Sequence, residues 1–272
     1  FLQLLHLVAP IQVSAQFCIV AAAFVGFYLA RKSLSSLLDD FKQQVGTNFR
    51  WLLILPMLMV LAILAACADW HFDSHLYHQQ SVLWATQSSV VPGLGNLHVR
   101  LAFNSSLHLY FALLDVGWLK GNADHFGNSF LMALALISLL SKCLLGKRRM
   151  SLVSFAAWLV LPGIITFATT VSTLSTDTAV IILEVIICFL LIDLFDQKQA
   201  QDFQENYFAL LILASIGVMV KLSIILFSAT AIVLATCLLI RRQNQVLKAK
   251  AFWIVNAMVS LVLAAWIVHG II

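Results

Sequence analysis

The densest group of polar side chains in this largely apolar sequence lies in the stretch FDSHLYHQQSVLW, residues 72–84. It holds one aspartate, two histidines, one tyrosine and two glutamines. A carboxylate or an imidazole can accept a proton from a substrate hydroxyl, and amide and phenol groups can hydrogen-bond a polar substrate. This stretch is therefore the first candidate for a site that performs chemistry.

A helix over this stretch, begun by Asp69 or Asp73 as its N-cap, would separate these side chains into two faces. The spacing predicts one mixed polar face and a neighbouring face of imidazoles: Asp73, Tyr77, Gln80 and Trp84, and His71, His75 and His78. The following VVPGLGN predicts a turn at Pro92 and Gly93. We expect an interfacial helix with a polar outer surface.

The chain as a whole is predicted to lie in a membrane. Of its 272 residues, 62% are hydrophobic and 10% are charged, and the mean hydropathy is +0.98. Soluble domains average about 45–50% apolar and about 25% charged residues. Runs long enough to cross a bilayer predict a single all-α polytopic domain, residues 1–272, with about eight transmembrane helices: 10–30, 51–68, 126–145, 152–171, 179–195, 207–220, 222–240 and 252–269.

The distribution of positive charge predicts the orientation of these helices. Most of the 16 Lys and Arg residues fall in four segments on one side: 31–50, 142–149, 196–206 and 241–250. Only three fall on the other side: Arg100, Lys120 and Lys221. Because cytoplasmic loops are enriched in Lys and Arg, residues 69–125 form a large first external loop. Within it, residues 101–119 are predicted to form a helix that lies at, or re-enters, the outer interface.

This external loop resembles a known family in the block FDSHLYHQQSVLWATQSSVVPGLGNLHVRLAFNSS. An acidic residue that starts an interfacial helix, just after an early transmembrane helix, is typical of GT-C membrane glycosyltransferases, and the block is similar to a bacterial subgroup of them. The STD motif ending at Asp177 and the KLS motif beginning at Lys221 fit the same superfamily. The chain departs from the pattern by having the helix 10–30 before the one that leads into the loop. We expect it to be the N-terminal and central part of such a protein, without the C-terminal part.

The resemblance implies an enzyme that moves a sugar from a polyprenyl-phosphate-linked donor to an acceptor at the outer face of a bacterial inner membrane. Asp73 is then the general base for the acceptor hydroxyl, with Asp69 as the alternate. The leaving lipid phosphate requires positive charge, which comes from three residues: Arg100, Lys221 and His75. Five other side chains are expected to contact the acceptor or substrate: Asp177, Tyr77, His78, Gln80 and Asn104.

The implied partners are this donor, membrane lipids and an acceptor of unknown identity, with no nucleic acid. No cofactor is firmly predicted. A divalent cation prefers hard oxygen ligands, and Asp73 and Asp177 are the candidates for holding one, although the sequence has no DxD motif. The histidine spacing leaves a zinc site open as another alternative.

Each of these residues also has an ordinary structural explanation. Asp73 and Asp177 could act only as helix caps. Arg100 could only extend toward lipid headgroups, and Tyr77 and Trp84 could only belong to the interfacial aromatic belt.

Glu184 raises a separate question, because it lies inside the predicted span 179–195. A carboxylate within the membrane is costly and is usually functional or paired. We expect Glu184 to be structural and to pair with Lys221 across helices, and a proton or ion path is the alternative.

Two other classes of protein remain open. A transporter or lipid flippase would spread charged groups through the midplane of the membrane and show inverted repeats. A non-catalytic membrane subunit would bind a partner through residues 69–125. Because the polar groups gather on one side and only Glu184 lies near the midplane, the sequence favours the glycosyltransferase.

Overall fold

A computed structural model describes residues 1–47, 54–69, 71–145, 170–196, 200–242 and 244–271. These parts of the chain form helices and turns, with no β-strand among them. In chain order the helices are α1 (Leu2–His6), α2 (Val13–Thr47), α3 (Ile54–Ala65), a π-helical turn (Ser74–His78), α4 (Gln79–Gln87), α5 (Ser106–Leu114), α6 (Ala123–Leu145), α7 (Thr176–Asp196), α8 (Ala200–Val220), α9 (Ile225–Arg242), α10 (Asn244–Lys248) and α11 (Lys250–Ile271). The predicted all-α architecture is confirmed for the described residues.

Five helical segments in the described part of the chain are long and apolar enough to cross a membrane: Val13–Arg31, Thr176–Phe195, Phe203–Val220, Leu222–Arg242 and Lys250–Ile271. Two shorter apolar helices, Leu55–Ala65 and Ala123–Leu139, coincide with the predicted spans 51–68 and 126–145. Of the predicted span 152–171, residues 152–169 lie outside the described residues. The chain is therefore a multi-pass helical membrane protein.

Three helices pack against α7: α6, α8 and α9. Toward α6, the buried side chain of Ile182 packs in a cluster with Met132. Toward α8, Ile187 and Leu194 pack in a second cluster with Leu210. Since lipid tails are as apolar as these side chains, close packing rather than escape from water holds such helices together.

A short buried helix replaces the long helix predicted for residues 101–119. The nine residues of α5 extend over about 14 Å, well short of the roughly 30 Å hydrocarbon core. Phe111 and Ala112 of α5 are fully buried, and the Phe111 ring packs directly on Gly127 of α6. This helix therefore lies inside the protein and does not rest on its lipid-facing surface.

The polar stretch begins with the π-helical turn Ser74–His78, and α4 follows from Gln79. A π turn places i→i+5 bonds where an α-helix has i→i+4 bonds, so residues four apart no longer lie above one another. His78 is buried, with 2% of its surface exposed, whereas His75 is exposed. The histidine face predicted from ideal helical spacing is therefore formed only in part: the rings of His71 and His78 have centroids 6.5 Å apart, whereas His75 departs from it.

Candidate functional site

The carboxylate of Asp73 forms an ion pair with Arg100. Arg100 Nη1 donates to Asp73 Oδ1 at 2.5 Å, and 32% of the Asp73 side chain and 39% of the Arg100 side chain remain exposed. Asp73 precedes the π-helical turn, but its side chain makes no capping hydrogen bond there. Its carboxylate therefore serves the ion pair and does not serve as a helix cap.

Tyr77 lies beneath this ion pair. The Arg100 guanidinium carbon is 5.1 Å from the centroid of the Tyr77 ring, and the edge of the Phe103 ring packs on Tyr77 with centroids 6.0 Å apart. Burial raises the pKa of the Tyr77 phenol, the charges of Asp73 and Asp177 raise it further, and Arg100 opposes them. Tyr77 therefore lies within electrostatic range of both carboxylates.

The second carboxylate, Asp177, pairs with Lys221. Asp177 lies in the first turn of α7, and its backbone N–H donates to the hydroxyl of Ser175 at 3.2 Å. The Ser175 hydroxyl thus caps the start of α7, and the Asp177 carboxylate binds Lys221. Lys221 is in turn the extended residue, with φ −153°, that separates the end of α8 from the turn before α9. The chain thus forms two helices here, in agreement with the separate predicted spans 207–220 and 222–240.

Buried hydrogen bonds hold the elements that carry the two ion pairs. The hydroxyl of Ser74, at the start of the π-helical turn, accepts the N–H of Leu174 at 3.2 Å. The amide of Asn128 on α6 donates to the carbonyl oxygens of Thr173 and Ser175 at 2.8 and 2.9 Å. These bonds connect the Asp73 turn and α6 to the segment that leads into α7.

A further bond fixes the position of Lys221. The Ser105 hydroxyl, just before α5, donates to the carbonyl oxygen of Val220 at 2.7 Å. Both ion pairs therefore lie at the end of the helix bundle where α6 and α7 begin and α8 ends.

A pair of buried histidines lies beside Tyr77. His78 Nδ1 and His108 Nε2 are 2.9 Å apart, and the His78 ring packs against the Tyr77 ring, tilted by 32°, with centroids 4.2 Å apart. Burial lowers the pKa of His78 to about 4, although Asp73 opposes the shift. Burial and the neighbouring His78 lower the pKa of His108 to about 3. Both imidazoles are therefore uncharged at neutral pH.

Two other predicted site residues lie away from the ion pairs. His75 is exposed; its Nε2 bonds the Asp69 carbonyl oxygen at 3.1 Å, and this bond raises the pKa of His75. Gln80 lines a separate cavity of about 260 Å³ together with Asp115 and Asp124. The predicted common face of Asp73, Tyr77 and Gln80 is not formed, because the π-helical turn shifts the residues that follow it.

Asn104 forms its hydrogen bonds with residues of α11. Its side-chain amide nitrogen, Nδ2, donates to the Trp266 backbone carbonyl oxygen at 2.6 Å. The Asn104 backbone carbonyl oxygen accepts the Trp266 indole N–H at 2.7 Å. The amide oxygen is 2.9 Å from His269 Nδ1. Asn104 therefore joins the loop to the last described helix, and sequence reasoning missed this contact because its two sides are far apart in the chain.

The predicted pair between Glu184 and Lys221 is not formed. Lys221 binds Asp177 instead. Asp177 begins α7, whereas Glu184 lies seven residues further along the same helix, about 10 Å deeper at 1.5 Å per residue. A lysine held at the start of α7 is too far from Glu184 to pair with it.

Sequence reasoning also missed His108 and Ser74 as parts of this site. Both are buried, and each makes its contact with a distant segment of the chain. The signal available was the sequence-wide tendency of histidines to fall in the loop and at neighbouring helix ends. Among the described residues, no three His, Cys, Asp or Glu side chains come together in a way that could hold a metal ion.

The fold and the site together define a multi-pass helical membrane protein with two carboxylate–cation pairs at one end of its helix bundle. The chain belongs to the family described as domain of unknown function DUF8201, whose model matches residues 1–272. Searches of curated proteins and of solved structures gave no match.

Proposed function

We propose that the protein is a GT-C-type glycosyltransferase that moves a sugar from a polyprenyl-phosphate-linked donor to an acceptor hydroxyl. The observation that carries this proposal is the gathering of two ion pairs, Asp73–Arg100 and Asp177–Lys221, within electrostatic range of the Tyr77 ring. Transfer between a lipid phosphate and an alcohol needs a base for the alcohol and positive charge for the leaving phosphate. The two pairs supply both.

Asp73 acts as the general base in this proposal. Arg100 occupies only one of its carboxylate oxygens, and the side chain is partly exposed, so an acceptor hydroxyl can approach the other oxygen. The hydroxyl proton passes to Asp73 as the hydroxyl oxygen forms a bond to the anomeric carbon of the donor sugar. The bond from that carbon to the phosphate oxygen breaks, and its electron pair leaves with the phosphate.

Arg100 and Lys221 receive the leaving phosphate. A guanidinium carries five N–H donors and an ammonium carries three, so each can bind a phosphate oxygen while it still contacts its carboxylate. Asp177 then positions Lys221, and it can also contact the acceptor. His75, exposed and with a raised pKa, is available as additional positive charge at the edge of the site.

The finer architecture belongs to the same proposal. Eight spans, with residues 69–125 as a large first external loop, would put the site at the periplasmic face of a bacterial inner membrane. The charge distribution along the sequence supports this orientation, since only three of the 16 Lys and Arg residues, Arg100, Lys120 and Lys221, fall in the segments predicted to be external. Lys and Arg are enriched on the cytoplasmic side of membrane proteins.

The substitution Asp73→Asn tests the role of the base. The amide keeps the size of the side chain but cannot take the proton, so we expect sugar transfer to fall by at least about a hundredfold. Transfer is measured in membranes as radiolabelled sugar passed from a polyprenyl-phosphate-linked donor to acceptor, with protein amount checked by immunoblot.

Asp39→Asn is the matched control, because Asp39 is an exposed carboxylate on α2, 3.8 Å from Lys42. It should leave transfer unchanged. Wild-type transfer by Asp73→Asn would remove Asp73 from the mechanism.

A lipid translocase is the second candidate, and Glu184 favours it. The carboxylate of Glu184 lies within a candidate span and makes no hydrogen bond or ion pair with the described residues. Intramembrane carboxylates commonly serve transport. Loss of lipid translocation by Glu184→Gln in vesicles, together with no sugar transfer by the wild-type protein, would favour the translocase.

A further inference from the structure

A cleft of about 320 Å³ lies beside the ion pairs, between α1, the turn that follows α4, and the end of α11. Small-molecule sites typically have volumes of roughly 300–1,000 Å³, so this cleft is large enough for a small ligand. None of the described residues that line it is Asp, Glu, Lys or Arg. Its polar lining consists of hydroxyl, amide, imidazole and indole groups.

The imidazoles of the cleft are held in an uncharged network. His6 Nδ1 is 2.9 Å from His269 Nε2, and His6 Nε2 is 3.1 Å from the Ser88 carbonyl oxygen. Burial lowers the pKa of His6 to about 4, and His108, which also lines the cleft, has a pKa of about 3. The cleft therefore offers hydrogen bonds without net charge from these groups.

Three lining side chains have polar groups that the described protein does not use. The Trp84 indole, the Ser89 hydroxyl and the Asn96 amide line the cleft and make no hydrogen bond with the described residues. Gly93, with φ +78°, makes the turn that leads to Asn96. An aromatic surface next to amide and hydroxyl groups suits a ligand that has an apolar face and several hydroxyls.

The cleft and the ion pairs share one wall. Leu101, Ala102 and Phe103 line the cleft, and Arg100 precedes them in the turn Val99–Ala102. Phe103 packs against Tyr77. A ligand in the cleft would thus lie one chain segment away from Asp73.

We propose that this cleft binds an uncharged sugar unit of the acceptor. The ring of Trp84 would pack against one face of the sugar, and Asn96 and Ser89 would bind its hydroxyls. This inference rests on the proposed function. It identifies the acceptor as a neutral glycan, and not as a peptide, a phosphate-bearing polymer or another anionic polymer.

Saturation-transfer NMR on the full chain in nanodiscs tests this inference. The probes are methyl β-D-glucopyranoside and N-acetylglucosamine as neutral sugars, and glucuronate and inorganic phosphate as anions. We expect binding of at least one neutral sugar and of neither anion. Trp84→Ala and Asn96→Ala should each weaken that binding about tenfold, as loss of one stacking or hydrogen-bonding contact predicts.

Two further variants serve as controls for loss of binding that does not arise from the cleft. Trp118→Ala is the matched control, because Trp118 is 91% exposed and does not line the cleft; its binding should equal that of the wild type. Trp84→Phe keeps an aromatic ring and should bind better than Trp84→Ala, which a general folding defect would not produce.

Three results would overturn the inference: no signal from either neutral sugar, a stronger signal from an anion, or unchanged binding by both Trp84→Ala and Asn96→Ala. Asp73→Asn should still bind the sugar, since Asp73 does not line the cleft. If no sugar binds but Asp73→Asn loses transfer, only the proposal that the cleft binds sugar is refuted. Sugar binding with transfer intact in Asp73→Asn refutes the catalytic role alone.

Discussion

The guanidinium of Arg100 contacts a carboxylate and an aromatic ring at the same time. It donates to Asp73 and lies over Tyr77. A planar, delocalised cation can do both, whereas the ammonium of lysine is a compact and strongly hydrated charge. In the proposed mechanism, Arg100 would therefore orient the base Asp73 as well as supply charge for the phosphate.

Arg100→Lys should lower sugar transfer by about tenfold, the loss expected when the contact of a cation with an aromatic ring and the shape of the guanidinium are removed. The variant keeps its charge, so a deficit would reflect geometry. The measurement is transfer at varied donor concentration, where we expect the KM for the donor to rise.

Arg31→Lys provides the matched control for this substitution. Arg31 also lies over a tyrosine, with its guanidinium carbon 4.1 Å from the Tyr28 ring centroid, but on α2 and away from the site. Equal transfer by the Arg100→Lys and Arg31→Lys proteins would show that Arg100 has no particular role.

At the scale of single residues, the sequence predicted which residues belong to the site better than it predicted their bonding partners. Asp73, Arg100, Asp177 and Lys221 were all candidates, and they do form the two ion pairs. Asn104 was expected to contact substrate, and it lines the cleft, but the sequence did not predict its bond to a residue 162 positions later. No local pattern reveals a contact over that separation, because spacing rules describe only neighbours on one helix or strand.

At the scale of elements, the position of α5 depends on its close approach to α6. A Cβ on Gly127 would overlap the ring of Phe111. Gly127→Ala should therefore lower the free energy of unfolding by about 1–3 kcal/mol, as overpacking of a core does. The measurement is the Tm of the purified protein in detergent.

Gly26→Ala is the comparison for that experiment. Gly26 lies in α2, and a Cβ built there meets no atom within 4 Å. Alanine favours a helix over glycine by about 0.5–1 kcal/mol, so the Tm should stay the same or rise slightly. A Gly127→Ala protein as stable as Gly26→Ala would contradict the close packing of α5 on α6.

Long elements were more predictable than short ones. The apolar runs at 179–195 and 252–269 correspond to described helices of spanning length, because a bilayer imposes a minimum run of apolar residues. The π-helical turn Ser74–His78 has no such signature, and it changed which polar residues share a face. Packing of Ser74 against the segment before α7 is a tertiary contact that periodicity does not contain.

At the scale of the whole molecule, the ion pairs lie at one end of the bundle, and basic residues described on α2 and α9 lie toward the other end: Arg31, Lys42, Arg241 and Arg242. Residues 31–50 and 241–250 are rich in Lys and Arg, and both adjoin the ends of spanning segments away from the site. The proposed orientation puts this basic end in the cytoplasm.

Labelling of single cysteines tests that orientation. In a background without the native cysteines, Gln87→Cys, at the exposed end of α4, should react with an impermeant maleimide on intact spheroplasts. Lys42→Cys, exposed on α2, should react only after the membrane is permeabilised. The reverse pattern would place the candidate site in the cytoplasm.

The bond between Asn104 and Trp266 also sets an order of events during synthesis. The two residues are 162 positions apart, and ribosomes add about 5–20 residues per second, so the loop waits roughly 8–30 s for its partner. Through that interval the cleft lacks the wall that α11 provides. Formation of the cleft is therefore coupled to insertion of α11. A nascent chain in which α11 has not yet been synthesised has its earlier helices but not the complete cleft.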